Sequence, residues 1–153
     1  DTVLSTVLGS CVATCLWDDR AGWGGMNHFL LPEATGSDAE ATLFGAYAME
    51  LLINELLKHG ASKSSLRAKL FGGGRIVDGL SDIGAKNGVF AKRFLEREGI
   101  PCVSESLGGD RGRRIRFWPV TGRAQQLFLK STVREAAAPS KAPDSGSGDV
   151  SFF

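Results

Sequence analysis

The chain has 153 residues, of which 42% are hydrophobic and 23% charged, and these values are typical of one globular domain with a real core. Its formal net charge of +1 excludes recruitment of nucleic acid or of an anionic membrane by bulk charge. No apolar run approaches the roughly 20 residues of a membrane helix, and no signal-peptide pattern opens the chain. We therefore expect a protein that neither inserts into a membrane nor binds nucleic acid.

Apolar, β-prone runs predict a β-rich beginning. Strands are expected over Val3–Val7, Cys11–Trp17 and Met26–Leu31. Gly9-Ser10 separates the first two strands, and the sequence DDRAGWGG forms the turn between the second and the third.

A long helix follows this β-rich region. Ser37 and Glu40, three residues apart, form a capping box that begins the helix. An apolar stripe at helical spacing continues to about His59, and Gly60 can adopt the left-handed conformation that ends a helix. A half-buried strand is then expected over Leu66–Phe71, because apolar and basic residues alternate there.

The next part of the chain predicts a second helix, a short strand and a hairpin. The helix follows SDIGAKN and ends near Gly99, the strand opens at Val103, and the hairpin turns around Thr121-Gly122. Strands and helices are therefore mixed, and the β-rich beginning favours more than one sheet.

From Ala136 onwards the sequence is small and polar with no periodicity. This composition predicts a disordered tail over 136–153, following a folded domain over 1–135. The tail closes with DVSFF, whose two aromatic residues are either a free end or an anchor that docks on a partner or on a neighbouring copy.

Three cysteines without a C-x-x-C pair predict neither a disulfide framework nor a zinc site, and a reducing cytoplasm is the expected compartment. Cys11 stands out because Gly9-Ser10 permits a sharp turn, which can present the thiol and neighbouring N–H groups at one opening. The alternative is a small buried hydrophobe. Cys15 and Cys102 lack such a setting and are expected to be core residues.

A nucleophilic thiol needs a nearby base, because free thiols titrate near ~8.5. His59 lies at a helix C-terminus, where capping explains it. His28 lies in an apolar strand and is either an ordinary strand residue or the base. If its strand pairs with the Cys11 strand through the DDRAGWGG turn, a hairpin centred between positions 19 and 20 places Cys11 opposite His28. The two Cβ atoms would then be about 5 Å apart.

Two further motifs have competing interpretations. FGGGR lacks the G-K-[ST] ending of a phosphate-binding loop. Its glycines either permit a tight turn or, with Gly73 and Gly74 at a rim, leave space near the thiol for a bulky protein substrate. In DRGRRIRF, Arg114 and Arg116 share one strand face, which is either a solvated face or a basic rim that steers an acidic substrate.

The sequences TVLGSCVATCLWD and GGMNHFLLPE closely resemble those of the CheD family, the chemoreceptor glutamine deamidases of bacterial chemotaxis. KLFGGG, IGAKN and LGGDRGRRIRFWPVTG agree with this resemblance, which spans about residues 2–129. It implies an α/β (α+β) sandwich of stacked mixed sheets with helices packed on the outside, similar to the catalytic domain of cytotoxic necrotizing factor toxins.

The resemblance also implies roles for particular residues. Cys11 matches the nucleophile and His28 the general base. The family's third position, a threonine, falls on Ser5, and the adjacent Thr6 is the alternative. The implied chemistry is attack of the Cys11 thiolate on a glutamine carboxamide, with oxyanion donors from the Gly9-Ser10 turn and from Cys11. His28 then protonates the departing ammonia and activates water to hydrolyse the thioester.

This chemistry requires no metal and no organic cofactor. The implied substrates are methyl-accepting chemoreceptors, and the implied partner is a CheC-type phosphatase. Two functions remain open: a cysteine hydrolase that deamidates receptors and so contributes to chemotaxis adaptation, and a regulatory module that acts mainly by binding the phosphatase or the receptors.

Overall fold

Two α-helices and nine strands make up most of the part of the chain that the computed structural model describes, which comprises residues 2–32, 38–76, 82–130, 140–141 and 150–153. In chain order the elements are β1 Leu4–Leu8, β2 Val12–Asp18, β3 Trp23–Phe29, α1 Asp38–Lys58, β4 Arg67–Gly72, α2 Ile83–Glu98, β5 Cys102–Leu107, β6 Arg113–Trp118, β7 Arg123–Phe128, β8 Ser140–Lys141 and β9 Val150–Phe152.

The described strands form two sheets. The first sheet has the order β8-β1-β6-β7-β9 and is antiparallel throughout. The second sheet has the order β3-β2-β4-β5, and only its β4–β5 pair is parallel. The strands predicted over the first 128 residues are all present, with small shifts of their ends.

Strand β2 contributes to two cores, which explains why all seven of its residues are buried. Val12 and Leu16 pack against the helices in a cluster that includes Met49 of α1. Cys15 lies on the opposite face of the strand, in a cluster between the sheets that includes Phe117 of β6. The layers are therefore helices, second sheet and first sheet, which confirms the expected α+β class with stacked sheets and helices on the outside.

The ends of the helices follow the local sequence. The predicted cap residue Ser37 lies outside the described residues, and α1 is described from Asp38. After α1, Gly60 has a φ of +103°, and Nδ1 of His59 lies 2.9 Å from the Glu55 carbonyl oxygen, as expected for a capping histidine. Gly99 ends α2 in the left-handed conformation at the predicted position.

Two described segments of the predicted tail pair with the first sheet, β8 with β1 and β9 with β7. The ring of Phe153 packs edge-on against Phe71 with centroids 5.3 Å apart, and its backbone N–H donates to the Ala124 carbonyl at 3.0 Å. These segments therefore differ from the predicted disorder, and the aromatic anchor docks on its own domain. The rest of the tail lies outside the described residues, and the domain boundary at 135 stays a prediction.

Candidate active site

The turn that carries Cys11 is the crossing from one sheet to the other. β1 belongs to the first sheet and β2 to the second, so the chain changes sheets within residues 9–11. The Gly73 N–H donates to the Cys11 carbonyl at 2.8 Å, and the Gly74 N–H donates to the Gly9 carbonyl at 3.0 Å. The loop after β4 thus holds the crossing through two backbone hydrogen bonds.

The glycines of this loop are required by close backbone approach. Gly72 has a φ of +108°, and a Cβ there would lie 2.1 Å from the Cys11 carbonyl oxygen. Gly73 has a φ of +64°. Gly73 and Gly74 are both buried. They therefore support the turn from within the fold, as the tight-turn interpretation expects, and their part in a substrate rim stays a prediction.

The register between β2 and β3 differs from the prediction. His28 lies opposite Ala13, not opposite Cys11, because the connecting turn extends through Gly22, whose φ is +71°. The hairpin is centred one position later than expected, which shifts the pairing by two residues. A two-residue shift keeps each side chain on its face. Cys11 and His28 are therefore diagonal neighbours, for which about 7–8 Å is typical in antiparallel strands.

A hydrogen bond between the sheets joins His28 to Thr6, with 2.9 Å between Nδ1 and Oγ1. Thr6 pairs with Ile115, which belongs to the core between the sheets, whereas Ser5 pairs with Arg116. Neighbouring strand residues point to opposite faces, so the Ser5 hydroxyl points away from the imidazole. The hydroxyl in contact with His28 is therefore that of Thr6, the alternative residue, and not that of Ser5.

The three side chains differ in their access to solvent. Cys11 is 4% exposed and Thr6 is 2% exposed, whereas His28 is partly exposed. Cys11 lies within the core cluster between the sheets. The imidazole is thus the member of this group that solvent reaches most readily.

The expected basic rim does not lie beside this site. Ile115 and Phe117 occupy the inner face of β6, so Arg114 and Arg116 lie on its outer face. Arg114 is exposed, but Arg116 is only 8% exposed. The first sheet separates both arginines from Thr6 and the space between the sheets, which contradicts their expected role as a rim around the thiol.

The other two cysteines lack a setting that stabilises a thiolate. Cys15 is fully buried, and burial raises the pKa of its thiol, with Lys69 opposing that shift. Cys102 is exposed, contrary to the expectation of a core residue, because it begins the edge strand β5. Desolvation of its sulfur and the nearby Glu105 carboxylate raise the pKa of the Cys102 thiol.

Asn87, a fully buried residue of α2, is part of the site although the sequence did not single it out. Its Nδ2 donates to the Ser10 carbonyl at 2.9 Å, and its Oδ1 accepts from the Leu31 N–H at 2.9 Å. The available signal is its spacing within the IGAKN motif, three residues before Phe90 and seven before Phe94, which places the amide on the apolar stripe of the helix. Such a residue needs buried polar partners.

Arg113 is a second buried residue that the sequence did not reveal, because the basic run around it suggested a solvated face. Its side chain is 1% exposed, and Nη1 donates to the Ser106 carbonyl at 2.7 Å. Nη2 donates to the Gly108 carbonyl. Alternation with Ile115 is the available signal, since it places Arg113 on the inner face of β6.

The described residues were also searched for metal-binding clusters and for membrane-spanning helices. Within those residues, no cluster of three or more His, Cys, Asp and Glu side chains is arranged to hold a metal ion. In the same part of the chain, no helix combines the length and apolar character needed to cross a membrane.

The chain is similar to a known family and to several of its members. A family profile described as "CheD chemotactic sensory transduction" matches residues 30–127. A protein from Cereibacter sphaeroides is 53% identical over 155 residues, which cover 99% of this chain and 76% of the relative. One from Caulobacter vibrioides is 51% identical over 160 residues, covering 100% of this chain and 85% of the relative.

A protein from Acidiphilium cryptum is 59% identical over 133 residues, covering 84% of this chain and 70% of the relative. All three relatives carry the name "Probable chemoreceptor glutamine deamidase CheD". The family profile covers more than half of the chain, and the matches to the relatives also include the segment with the candidate site. The chain therefore belongs to the CheD family.

Proposed function

We propose that this chain is a protein-glutamine deamidase that converts glutamines of methyl-accepting chemoreceptors to glutamates in the cytoplasm. Cys11 is the nucleophile and His28 the general base and acid. The names of the relatives support the reaction and the substrate class. The observation that carries the proposal is the 2.9 Å contact between Thr6 Oγ1 and His28 Nδ1, made in the space between the sheets where Cys11 also lies.

Thr6 gives the imidazole a defined role. When Nδ1 carries its proton and donates it to Thr6 Oγ1, the lone pair of the ring lies on Nε2. In this tautomer Nε2 takes the thiol proton of Cys11, and the ring is kept from rotating by the bond to the first sheet. Thr6 thus orients the base.

The reaction then proceeds as two acyl transfers. The Cys11 thiolate attacks the side-chain carbonyl carbon of glutamine, and an S–C bond forms. The C–N bond breaks as His28 gives a proton to the nitrogen, so ammonia leaves and a thioester remains. His28 next takes a proton from water, whose oxygen attacks the thioester carbon and releases glutamate and the thiol. The sum is glutamine plus water giving glutamate plus ammonia.

The turn around Cys11 supports stabilisation of the oxyanion. The carbonyls of Gly9, Ser10 and Cys11 accept hydrogen bonds from Gly74, Asn87 and Gly73 respectively. In a trans peptide the N–H points away from the carbonyl. The N–H groups of Ser10 and Cys11 are therefore directed away from the supporting loop and helix, and in this proposal they are the donors to the oxyanion.

The burial of the thiol favours a side-chain amide as substrate. Cys11 is 4% exposed, so a folded peptide backbone cannot approach it closely without rearrangement of the site. A glutamine side chain is slim and flexible, and it presents its carboxamide at the tip. Deamidation of such a side chain fits an enclosed nucleophile better than cleavage of a main-chain peptide bond.

The experiment uses a purified cytoplasmic receptor fragment. Ammonia release and the mass shift from glutamine to glutamate are measured for the wild type, for Cys11→Ala and for Cys102→Ala. We expect activity in the wild type and in Cys102→Ala, and none in Cys11→Ala. Cys102 is the matched control because it is an exposed cysteine of the edge strand.

The second function, a regulatory module that binds a CheC-type phosphatase or the receptors, makes a different prediction in the same assay. If the wild type and Cys11→Ala both fail to release ammonia while both bind the partner equally well, the deamidase proposal is wrong. Loss of deamidation in Cys11→Ala with partner binding retained supports the enzyme.

A further inference from the structure

The carbonyl of Ser10 is held differently from those on either side of it. The carbonyls of Gly9 and Cys11 accept hydrogen bonds from backbone N–H groups of the glycine loop after β4, at 3.0 and 2.8 Å. Ser10 is held by a side chain, the carboxamide of Asn87, at 2.9 Å. The peptide that leads into the nucleophile thus depends on one residue of α2.

The same carboxamide also holds the segment that follows His28. Oδ1 of Asn87 accepts from the Leu31 N–H at 2.9 Å, just beyond the end of β3. Asn87 is fully buried, and its hydrogen bond to Leu31 is buried with it, whereas the bond to Ser10 is partly buried. One side chain therefore ties the turn of the nucleophile to the strand of the base.

The helix that carries Asn87 lies close to the glycine loop. A Cβ at Gly84, one turn earlier in α2, would lie 2.3 Å from the Gly74 carbonyl oxygen. This close approach fixes the distance between α2 and the loop, and it leaves Asn87 little freedom to shift.

Both peptide planes that flank the Cα of Cys11 are consequently held. Asn87 holds the Ser10–Cys11 peptide, and Gly73 holds the Cys11–Val12 peptide. Two fixed peptide planes determine the backbone dihedral angles of the residue between them, and hence the direction of its Cα–Cβ bond. We propose that Asn87 is a positioning residue that sets the direction of the Cys11 thiol relative to His28. The proposal rests on the proposed function for its effect on turnover.

The test compares Asn87 with Asn27, another amide that joins two elements. Asn27 Nδ2 donates to the Ala48 carbonyl at 3.2 Å, and Oδ1 accepts from the Thr14 N–H at 3.3 Å, on the helix side of β3. The variants are Asn87→Leu, Asn87→Ala and Asn27→Leu. Asn87→Ala provides a smaller side chain if Asn87→Leu does not fold, and circular dichroism and urea unfolding verify folding.

We expect both Asn87 variants to lower kcat for the receptor fragment by about 10- to 100-fold with a smaller change in KM, because misplacement of a nucleophile acts on the chemical step. The pH profile for alkylation of Cys11 by iodoacetamide should shift in the Asn87 variants. The Asn27 variant should lose stability but keep the wild-type profile.

An unchanged kcat and an unchanged alkylation profile in a folded Asn87 variant overturn the proposal. The same shift in Asn27→Leu also overturns it, because the effect would then be general loosening of the fold. The alkylation profile requires no receptor. A wild type that does not deamidate therefore contradicts the proposed function, while the profile still decides the role of Asn87.

Discussion

Thr6 and His28 belong to different sheets, and the 2.9 Å hydrogen bond between their side chains crosses the interior of the sandwich. The base is therefore oriented by a residue of the opposite sheet and not by a neighbour on its own strand. Activity should thus depend on how the two sheets are packed.

The first prediction removes this hydrogen bond. Thr6→Val keeps the shape of the side chain and deletes the hydroxyl, so the imidazole can rotate or adopt the other tautomer. We expect kcat for the receptor fragment to fall by about 10- to 100-fold, since positioned acid–base groups contribute effects of this size or larger. Thr6→Ser keeps the hydroxyl and should retain most of the activity.

Ser5→Ala is the matched control for Thr6→Val, because Ser5 is also buried but faces away from the site. Its kcat should stay close to that of the wild type. A large loss in Ser5→Ala together with a normal Thr6→Val would contradict the assignment of the orienting hydroxyl to Thr6.

The second prediction concerns Arg113, which links β6 of the first sheet to the end of β5 in the second through the Ser106 and Gly108 carbonyls. Arg113→Ala leaves these partly buried acceptors without their charged donor and opens a cavity where the buried side chain was. We expect a loss of at least about 2 kcal/mol in the free energy of unfolding, measured by urea denaturation. Arg114→Ala, at the adjacent exposed position, should change it by less than about 0.5 kcal/mol. Equal effects would contradict this account.

The third prediction concerns Asp18, whose carboxylate accepts from the backbone N–H groups of Ser62, Arg20 and Ala21 at 2.9, 2.9 and 3.2 Å. The bond from Ser62 is the largest cause of the lowered pKa of Asp18, and burial opposes it. Asp18→Asn should lower the free energy of unfolding by about 1–3 kcal/mol at pH 7, because the bonds to a charged acceptor are lost.

The pH dependence has a definite sign. A carboxylate with a lowered pKa in the folded state stabilises the protein above its ordinary pKa near ~4, and this contribution is lost as the pH falls through the folded-state value. Between pH 7 and pH 3 the wild type should therefore lose more stability than Asp18→Asn. Asp19→Asn is the control, since its side chain is 55% exposed and its ion-pair partner, Arg67, is 4.0 Å away.

Much of the fold could be predicted because local patterns determine it. The Gly60 and Gly99 stops, the apolar stripes of the helices and the β6–β7 hairpin depend on residues close together in the chain. The predicted β2–β3 register was wrong because the predicted turn was centred one position too early, and the sequence does not determine whether Gly22 or an earlier residue closes the turn. Cys11 therefore lies diagonal to His28 instead of opposite it, but on the same face of the sheet.

The choice of Thr6 over Ser5 had a signal in the sequence that was not used. Leu4 and Leu8 lie on the same face of β1 as Thr6 and contact the core between the sheets, whereas Ser5 shares its face with Val7. The strand pairing of the two described tail segments, 140–141 and 150–152, could not be predicted from their composition. An edge strand is held largely by backbone hydrogen bonds, to which composition is a poor guide.

The last prediction concerns Phe153, which packs on the core between the sheets. Its ring lies edge-on to Phe71, its N–H donates to the Ala124 carbonyl, and its carbonyl accepts from the Lys69 ammonium. Lys69 is buried, and a buried ammonium group needs a hydrogen-bond acceptor. Phe153→Ala should lower the free energy of unfolding by about 1–3 kcal/mol.

Phe152→Ala is the matched control for this prediction. Its ring is 59% exposed and lies over Arg123 on the outside of the sheet, so we expect a change of about 0.5 kcal/mol or less. Urea unfolding of both variants gives the comparison. A destabilised Phe152→Ala beside a stable Phe153→Ala would show that the segment is held by its outer contacts. If Phe153→Ala is instead the more destabilised variant, Phe153 is part of the core in which Cys11 also lies. Phe153→Ala should then also speed the alkylation of Cys11.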